Sequence, residues 1–282
     1  MFVGISGLPM DGDYFDLGDG ITIKRTYAHL MMPYVVAFKR PEPGMAHPGP
    51  WEAAEQPIGF DIEAELYVPE KVDGANDWEI ARALTFLLRL GINPAGAAPL
   101  MASHSLEEFP TLKSGETRKL TPLEVRRRSF PLVAQGSLNA TNAKWLGERW
   151  RIVHKLSKAS AGFDLAMAAM DAGQFERNTA FTLVSLWGAL EALFAGDRNE
   201  LKFRVSSNIA AYIVEFGPDR GAYQKEVARI YDKRSAAVHG VPKHDNDDVL
   251  NTFTVMRAAL MKMIETGKVP TREDLEKRLF GE

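Results

Sequence analysis

The chain has no cysteine in 282 residues. That excludes disulfides, thiol nucleophiles and cysteine-held zinc or iron–sulfur centres, and it suits a reducing cytoplasm. It also lacks a dominant charge sign: 34 Lys and Arg face 37 Asp and Glu, for a net charge of −3. A surface coated for nucleic acid is therefore not expected, and any such contact must come from a local cluster. Long hydrophobic runs are missing too. The longest, 179–196, is interrupted by Glu191 and reads as a buried helix rather than a membrane span. Residues 1–20 are acidic and glycine-rich, without the basic start and apolar core of a signal peptide, so a cytoplasmic protein with no membrane partner is expected. There is no phosphate-binding P-loop and no dinucleotide glycine fingerprint, which disfavours P-loop NTPases and Rossmann oxidoreductases. His29, His47, His104 and His154 are scattered without ligand spacing. No cofactor and no metal site is expected.

What is present begins with a 45% apolar fraction, enough for a substantial core. Segments 21–25, 34–39 and 58–68 read as strands, the last through alternation of Ile58, Phe60, Ile62, Ala64 and Leu66. Asp19-Gly20 suits a hairpin turn, and the proline- and glycine-rich stretch 41–50 reads as a loop. A helix over 78–90 has Asn76 or Asp77 as its cap and Gly91 as its stop. Pro94, Pro99, Pro110, Pro122 and Pro131 limit 92–135 to short strands and loops. Beyond Asn142 the pattern turns helical, over 145–172, 175–195, 199–216, 219–239, 247–266 and 272–280. Asn199 and Asp247 are candidate helix starts, and Thr271 with Asp274 resembles a capping box. Val205, Ile209, Tyr212 and Phe216 mark one buried face, and Val249, Phe253, Met256, Leu260 and Met263 another. The expected fold class is α+β: a mixed α/β domain over 1–141, followed by an all-α helical bundle over 142–282. The boundary falls between Gly136 and Gly147.

The chemistry-bearing segment is 223–242. In a helix over 223–238, Tyr223, Val227, Ile230, Tyr231 and Val238 share one apolar stripe. Arg234 falls in its middle, where a guanidinium needs an anionic partner. His239 occupies the last turn, before the stop signals Gly240 and Pro242. The structural reading makes Arg234 half of an ion pair tethering two helices, and a histidine at a helix C-terminus is ordinary. Glu191, the single charge in its apolar run, either orients Arg234 or His239 or neutralises a buried cation. Lys233 is a phosphate contact or a solvated lysine. Tyr231 is core or a stacking platform for a base. Ser235 lies near a phosphate or on the helix surface.

The string Tyr231-x-x-Arg234-Ser235-x-x-Val238-His239-Gly240 resembles the signature of HEPN domains (higher eukaryote and prokaryote nucleotide-binding). Its serine fits the Apea-like branch, where many other HEPN domains carry Asn, Asp or His. The segment 186–194, Leu-Trp-Gly-Ala-Leu-Glu-Ala-Leu-Phe, resembles that branch's apolar helix ending in a Leu-Glu pair. The resemblance covers 147–282. It implies an HEPN-like bundle, a homodimer with two Arg/His sets facing across a two-fold axis, and metal-independent cleavage of single-stranded RNA. Arg234 would bind the phosphate and His239 would move protons, with Glu191, Tyr231, Lys233 and Ser235 supporting them. RNA is the implied substrate, and an antitoxin or defence-system partner fits a toxin or antiphage effector. The chemistry is apt: imidazole exchanges protons near neutrality, with an unperturbed pKa of about 6.5, and guanidinium grips phosphate with parallel donors. Five residues at about 100° each set Arg234 and His239 roughly 140° apart on a regular helix. Convergence therefore needs a tightened helix end or a second copy. The alternatives are a non-catalytic HEPN dimerisation or RNA/nucleotide-binding module, and a structural subunit of a larger complex.

Other clusters read as structural. Arg126, Arg127 and Arg128 form the densest basic run, a solvated face or a nucleic-acid patch. Trp145 and Trp150, beside Arg149 and Arg151, close a domain junction or stack bases. Asp11, Asp13, Asp16 and Asp19 fail the calcium-loop pattern, because Phe15 and Asp16 stand where an oxygen ligand and glycine belong. His244, Asp245, Asp247 and Asp248 fit helix-start chemistry.

Overall fold

The computed structural model describes residues 1–31, 34–54, 59–113, 119–124, 136–195, 200–238 and 244–281. Its architecture is α+β. A six-stranded antiparallel sheet is built from β1 (Phe2–Ser6), β2 (Tyr14–Gly18), β3 (Ile21–Met31), β6 (Gly59–Tyr67), β9 (Ala97–Ala102) and β10 (Leu120–Pro122). The strand order is β10-β9-β1-β6-β3-β2. Two small hairpins, β4 (Tyr34–Ala37) with β5 (Trp51–Ala54) and β7 (Lys71–Val72) with β8 (Ala75–Asn76), lie outside it. The β2–β3 turn is Asp19-Gly20, both at positive φ, 57° and 76°. That is the twist-matched two-residue turn expected of this dipeptide. The strand expected over 21–25 runs on to Met31, with a register shift between Arg25 and Ala28.

Alternation decides what each sheet face packs against. Val3 and Leu66, paired across β1 and β6, join the large core. Gly4, Glu65 and Leu100 point the other way, where Ile62, Leu100 and Ala102 make a small second cluster. The buried Glu65 carboxylate accepts from Ser105 Oγ at 2.8 Å and Leu106 N at 2.6 Å.

Helix α1 (Asp77–Leu87) starts at Asn76, which forms a capping box with Glu79. Gly91 does not stop it. The chain widens into a π-helical turn, Leu88–Ile92, with Asn93 N donating to Leu88 O at 2.8 Å. Gly91 is needed for proximity instead: a Cβ there would lie 2.6 Å from the Trp145 ring.

The long helix expected over 145–172 is two helices, α2 (Ala140–Ala159) and α3 (Ala161–Gly173). Ser160 breaks them with extended backbone and caps α3 by accepting from Phe163 N. The apolar period runs through the break, so periodicity alone hid it. Helices α4 (Thr179–Phe194), α5 (Leu201–Ile213), α6 (Pro218–Val238), α7 (Asn246–Thr266) and α8 (Arg272–Phe280) follow. The expected cap Asn199 lies outside the described residues. Phe216, expected on the buried face of the third predicted helix, is 69% exposed, because α5 ends at Ile213 and Phe216 lies beyond it. Helix α7 begins at Asn246 and is capped by Asp245 rather than Asp247: Asp245 and Asp248 form a reciprocal capping box. The Thr271–Asp274 box of α8 is as expected.

Sheet and helices share a continuous core that runs from Val3, Ile23 and Leu66 through Phe86 and Trp150 to Trp187 and Phe253. Helix α2 lies close against β2, because at Gly147 a Cβ would meet Leu17 O at 2.1 Å. Ion pairs tie α1 and the β7–β8 turn to α2 and α3: Arg82–Asp164 at 2.7 Å, Lys158–Glu79 at 2.5 Å and Arg151–Asp73 at 2.6 Å. Among the described residues, no helix is long and apolar enough to cross a membrane.

Candidate functional site

Helices α4 and α6 pack side by side and carry the candidate residues. Helix α4 is apolar almost all round. Asn178 caps its start by accepting from Ala180 N and Phe181 N, and Asn208 Nδ2 donates to Phe194 O at its end. Each end therefore has part of its unpaired backbone met by a side chain. On α6, Val227, Ile230 and Tyr231 are buried as the stripe requires, and Tyr223 is partly buried.

Arg234 emerges from that stripe beside Glu191 in the last turn of α4. Its Nη2 lies 3.2 Å from Oε1 and 3.3 Å from Oε2 of the carboxylate. Tyr231 donates its hydroxyl to the same Oε1 at 2.8 Å. The Tyr231 ring meets Trp187 edge-on at 5.0 Å, and the guanidinium carbon of Arg234 stands 5.7 Å from the Tyr231 centroid. An edge-to-face pair of this kind contributes about 0.5–1.5 kcal/mol beyond area burial. Burial, together with donation to a carboxylate, pushes the Tyr231 hydroxyl up to about 12, so it stays a donor throughout the neutral range.

Glu191 therefore holds two groups of α6 at once. The arginine is not used up by this contact. One nitrogen serves the carboxylate and the side chain keeps 24% exposure, while the Nε, unpartnered among the described residues, is closed to solvent. A second anion would be met by the exposed part of the guanidinium.

The other sequence-selected residues divide. Lys233 turns to α7, with Nζ 3.0 Å from the nearly buried Asp248 carboxylate, so it ties two helices. Ser235 is half-buried on α6. His239 lies outside the described residues, as do Arg126, Arg127 and Arg128. Structure thus brings Glu191, Tyr231 and Arg234 together and sets Lys233 on a different contact.

The remaining candidates are structural. Trp150 is fully buried with Arg151 stacked 4.6 Å from its centroid, so it offers no face to a base, and the partly buried Trp145 packs against the Gly91 turn. Asp13 pairs with Arg25, Asp19 with Arg151, and Asp11 accepts from Ser137. No cluster of ligands suited to a metal ion occurs among the described residues.

One charged cluster escaped the sequence reading. Arg89, only 5% exposed, donates to Gly96 O at 3.0 Å, to Asp171 at 3.2 Å and to Glu124. Burial drives the Asp171 carboxyl above its ordinary range even with Arg89 beside it. The signal was a lone arginine in the run Phe86-Leu87-Leu88-Arg89-Leu90, the same kind of signal that drew attention to Arg234.

No protein-family model, curated protein or solved structure matches this chain.

Proposed function

We propose that this chain is a metal-independent endoribonuclease of HEPN type that cleaves single-stranded RNA. In this reading the 2′-oxygen attacks the adjacent phosphorus as its proton is removed. The bond to the 5′-oxygen breaks, and that oxygen takes up a proton as it leaves. The products are a 2′,3′-cyclic phosphate and a 5′-hydroxyl. His239 serves proton transfer, and Arg234 binds the non-bridging oxygens and offsets their growing charge. A homodimer would bring two such pairs to one cleft, answering the angular separation of the two side chains on a regular helix. Toxin or antiphage effector is the setting that the sequence resemblance suggests, with RNA and an antitoxin or defence partner as the interacting molecules.

The observation that carries this reading is the posture of Arg234. It is anchored by Glu191 through one nitrogen and flanked by a protonated Tyr231, with the side chain still 24% exposed. Glu191 and Tyr231 then act as positioning residues.

A second reading has its own support, because a guanidinium already facing a carboxylate also suits a scaffold. The bundle would then dimerise, or hold RNA or a nucleotide, without cleaving it. One comparison separates the two. The wild-type chain, His239→Ala and Arg234→Lys are incubated with labelled single-stranded RNA in EDTA. Cleavage by the wild type alone, with binding kept in His239→Ala, supports the nuclease. Binding without cleavage in all three supports the module. If none binds or cleaves RNA, both readings fall and a structural subunit remains.

A further inference from the structure

A cavity of about 410 Å³ lies at the seam between the sheet-side helix and the bundle, away from Arg234. Its walls are largely apolar: Phe86, Ile92, Met170 and Phe253. Cavities of this size hold small ligands when a few polar groups converge on them.

Here the polar groups are placed by a backbone irregularity. The π-helical turn Leu88–Ile92 widens the end of α1, and Arg257 of α7 donates its Nε to Leu90 O at 2.6 Å. That bond ties α7 to the turn and leaves the terminal nitrogens of Arg257 at the cavity rim without partners among the described residues. Gln174 also lines the space but is only 3% exposed, and its Oε1 is closed off from it. Two guanidiniums, Arg89 and Arg257, and one carboxylate, Asp171, line the space. Arg89 is spent on Asp171 and Glu124, so the available cation is Arg257.

We infer that this cavity binds a small monoanionic amphiphile, an organic carboxylate. Its apolar body fills the Phe86–Phe253 space and its charge meets Arg257. The inference does not depend on the phosphodiester reading of Arg234, because the two sites share no residue.

The test uses the full chain and three probes of equal chain length: octanoate, 1-octanol and octylammonium, each below its aggregation limit. Calorimetric titration should show saturable binding of octanoate at one site per chain. Octanol should bind roughly tenfold more weakly, a difference of about 1.4 kcal/mol, and octylammonium should not bind. Arg257→Ala should reduce octanoate to the affinity of octanol. Thr254→Trp, placed at an exposed lining position, should fill the space and abolish both. Should Arg257→Ala unfold for want of its bond to Leu90 O, the tryptophan variant carries the test. The inference is overturned if no probe binds saturably, which means the chain itself fills the space. It is also overturned if octylammonium binds as well as octanoate, or if Thr254→Trp binds octanoate unchanged.

Discussion

Glu191 and Arg234, 43 positions apart, meet across the α4–α6 contact with one guanidinium nitrogen between both carboxylate oxygens, at 3.2 and 3.3 Å. Tyr231 shares one of those oxygens. The three side chains therefore form a unit in which the carboxylate is the hub.

Because the pair is partly buried, removing one member leaves the other underpaired. Glu191→Gln or Arg234→Met should each lower unfolding free energy by about 1–2 kcal/mol, between exposed and fully buried pairs. The double variant should lose less than the sum, with a coupling of about 0.5 kcal/mol or more. Urea denaturation of the four proteins measures it, and strictly additive losses would show that the contact is energetically idle.

Tyr231 predicts a pH signature. Its hydroxyl is pushed up to about 12 in the folded chain, above the ordinary phenol value. A raised folded value means the contribution is complete below the unfolded pKa of about 10 and is lost as pH climbs toward 12. Tyr231→Phe should cost about 1 kcal/mol at neutral pH. The gap to wild type should narrow above pH 10, and a phenolate absorbance titration should place Tyr231 among the last tyrosines to ionise.

Gly147 is the point where α2 lies against β2. An added methyl would meet Leu17 O at 2.1 Å, inside any tolerable contact with backbone. Gly147→Ala should destabilise the chain by about 3 kcal/mol or more, since neither the helix nor the strand can yield locally. Thermal unfolding decides it; an unchanged midpoint would mean that α2 does not sit this close.

Asp274 is held well below the usual carboxylate range by the backbone N–H and hydroxyl of Thr271 and by Lys268. A depressed folded pKa contributes stability above the unfolded value, and that stability disappears as pH falls through the folded one. Asp274→Asn should therefore be less stable than wild type at pH 7 and indistinguishable from it in strong acid. A difference that persists in acid would assign the effect to packing rather than to charge.

Local chemistry determined much of this protein from sequence alone. Asn76 capping α1, the Asp19-Gly20 turn, the Thr271–Asp274 box and the buried faces of α6 and α7 all depend on residues a few positions apart. Steric and hydrogen-bonding preferences at that range are properties of the residue types themselves. The demand of Arg234 for an anion was legible for the same reason, because a charge on an apolar stripe needs a partner whatever the fold.

Which anion answers that demand, and what else the fold assembles, was settled only in three dimensions. Glu191 reaches Arg234 because α4 and α6 pack together, and Lys233 is drawn to Asp248 because α7 lies alongside. Strand β1, too short for periodicity to single out, becomes a central strand because β6 and β9 pair with both its edges. The Arg89–Glu124–Asp171 cluster and the cavity bounded by the π-helical turn join segments up to 171 positions apart, from Phe86 to Arg257. Such contacts leave no periodic trace along a chain, because they arise from how finished elements fill space against one another rather than from the preference of any one of them.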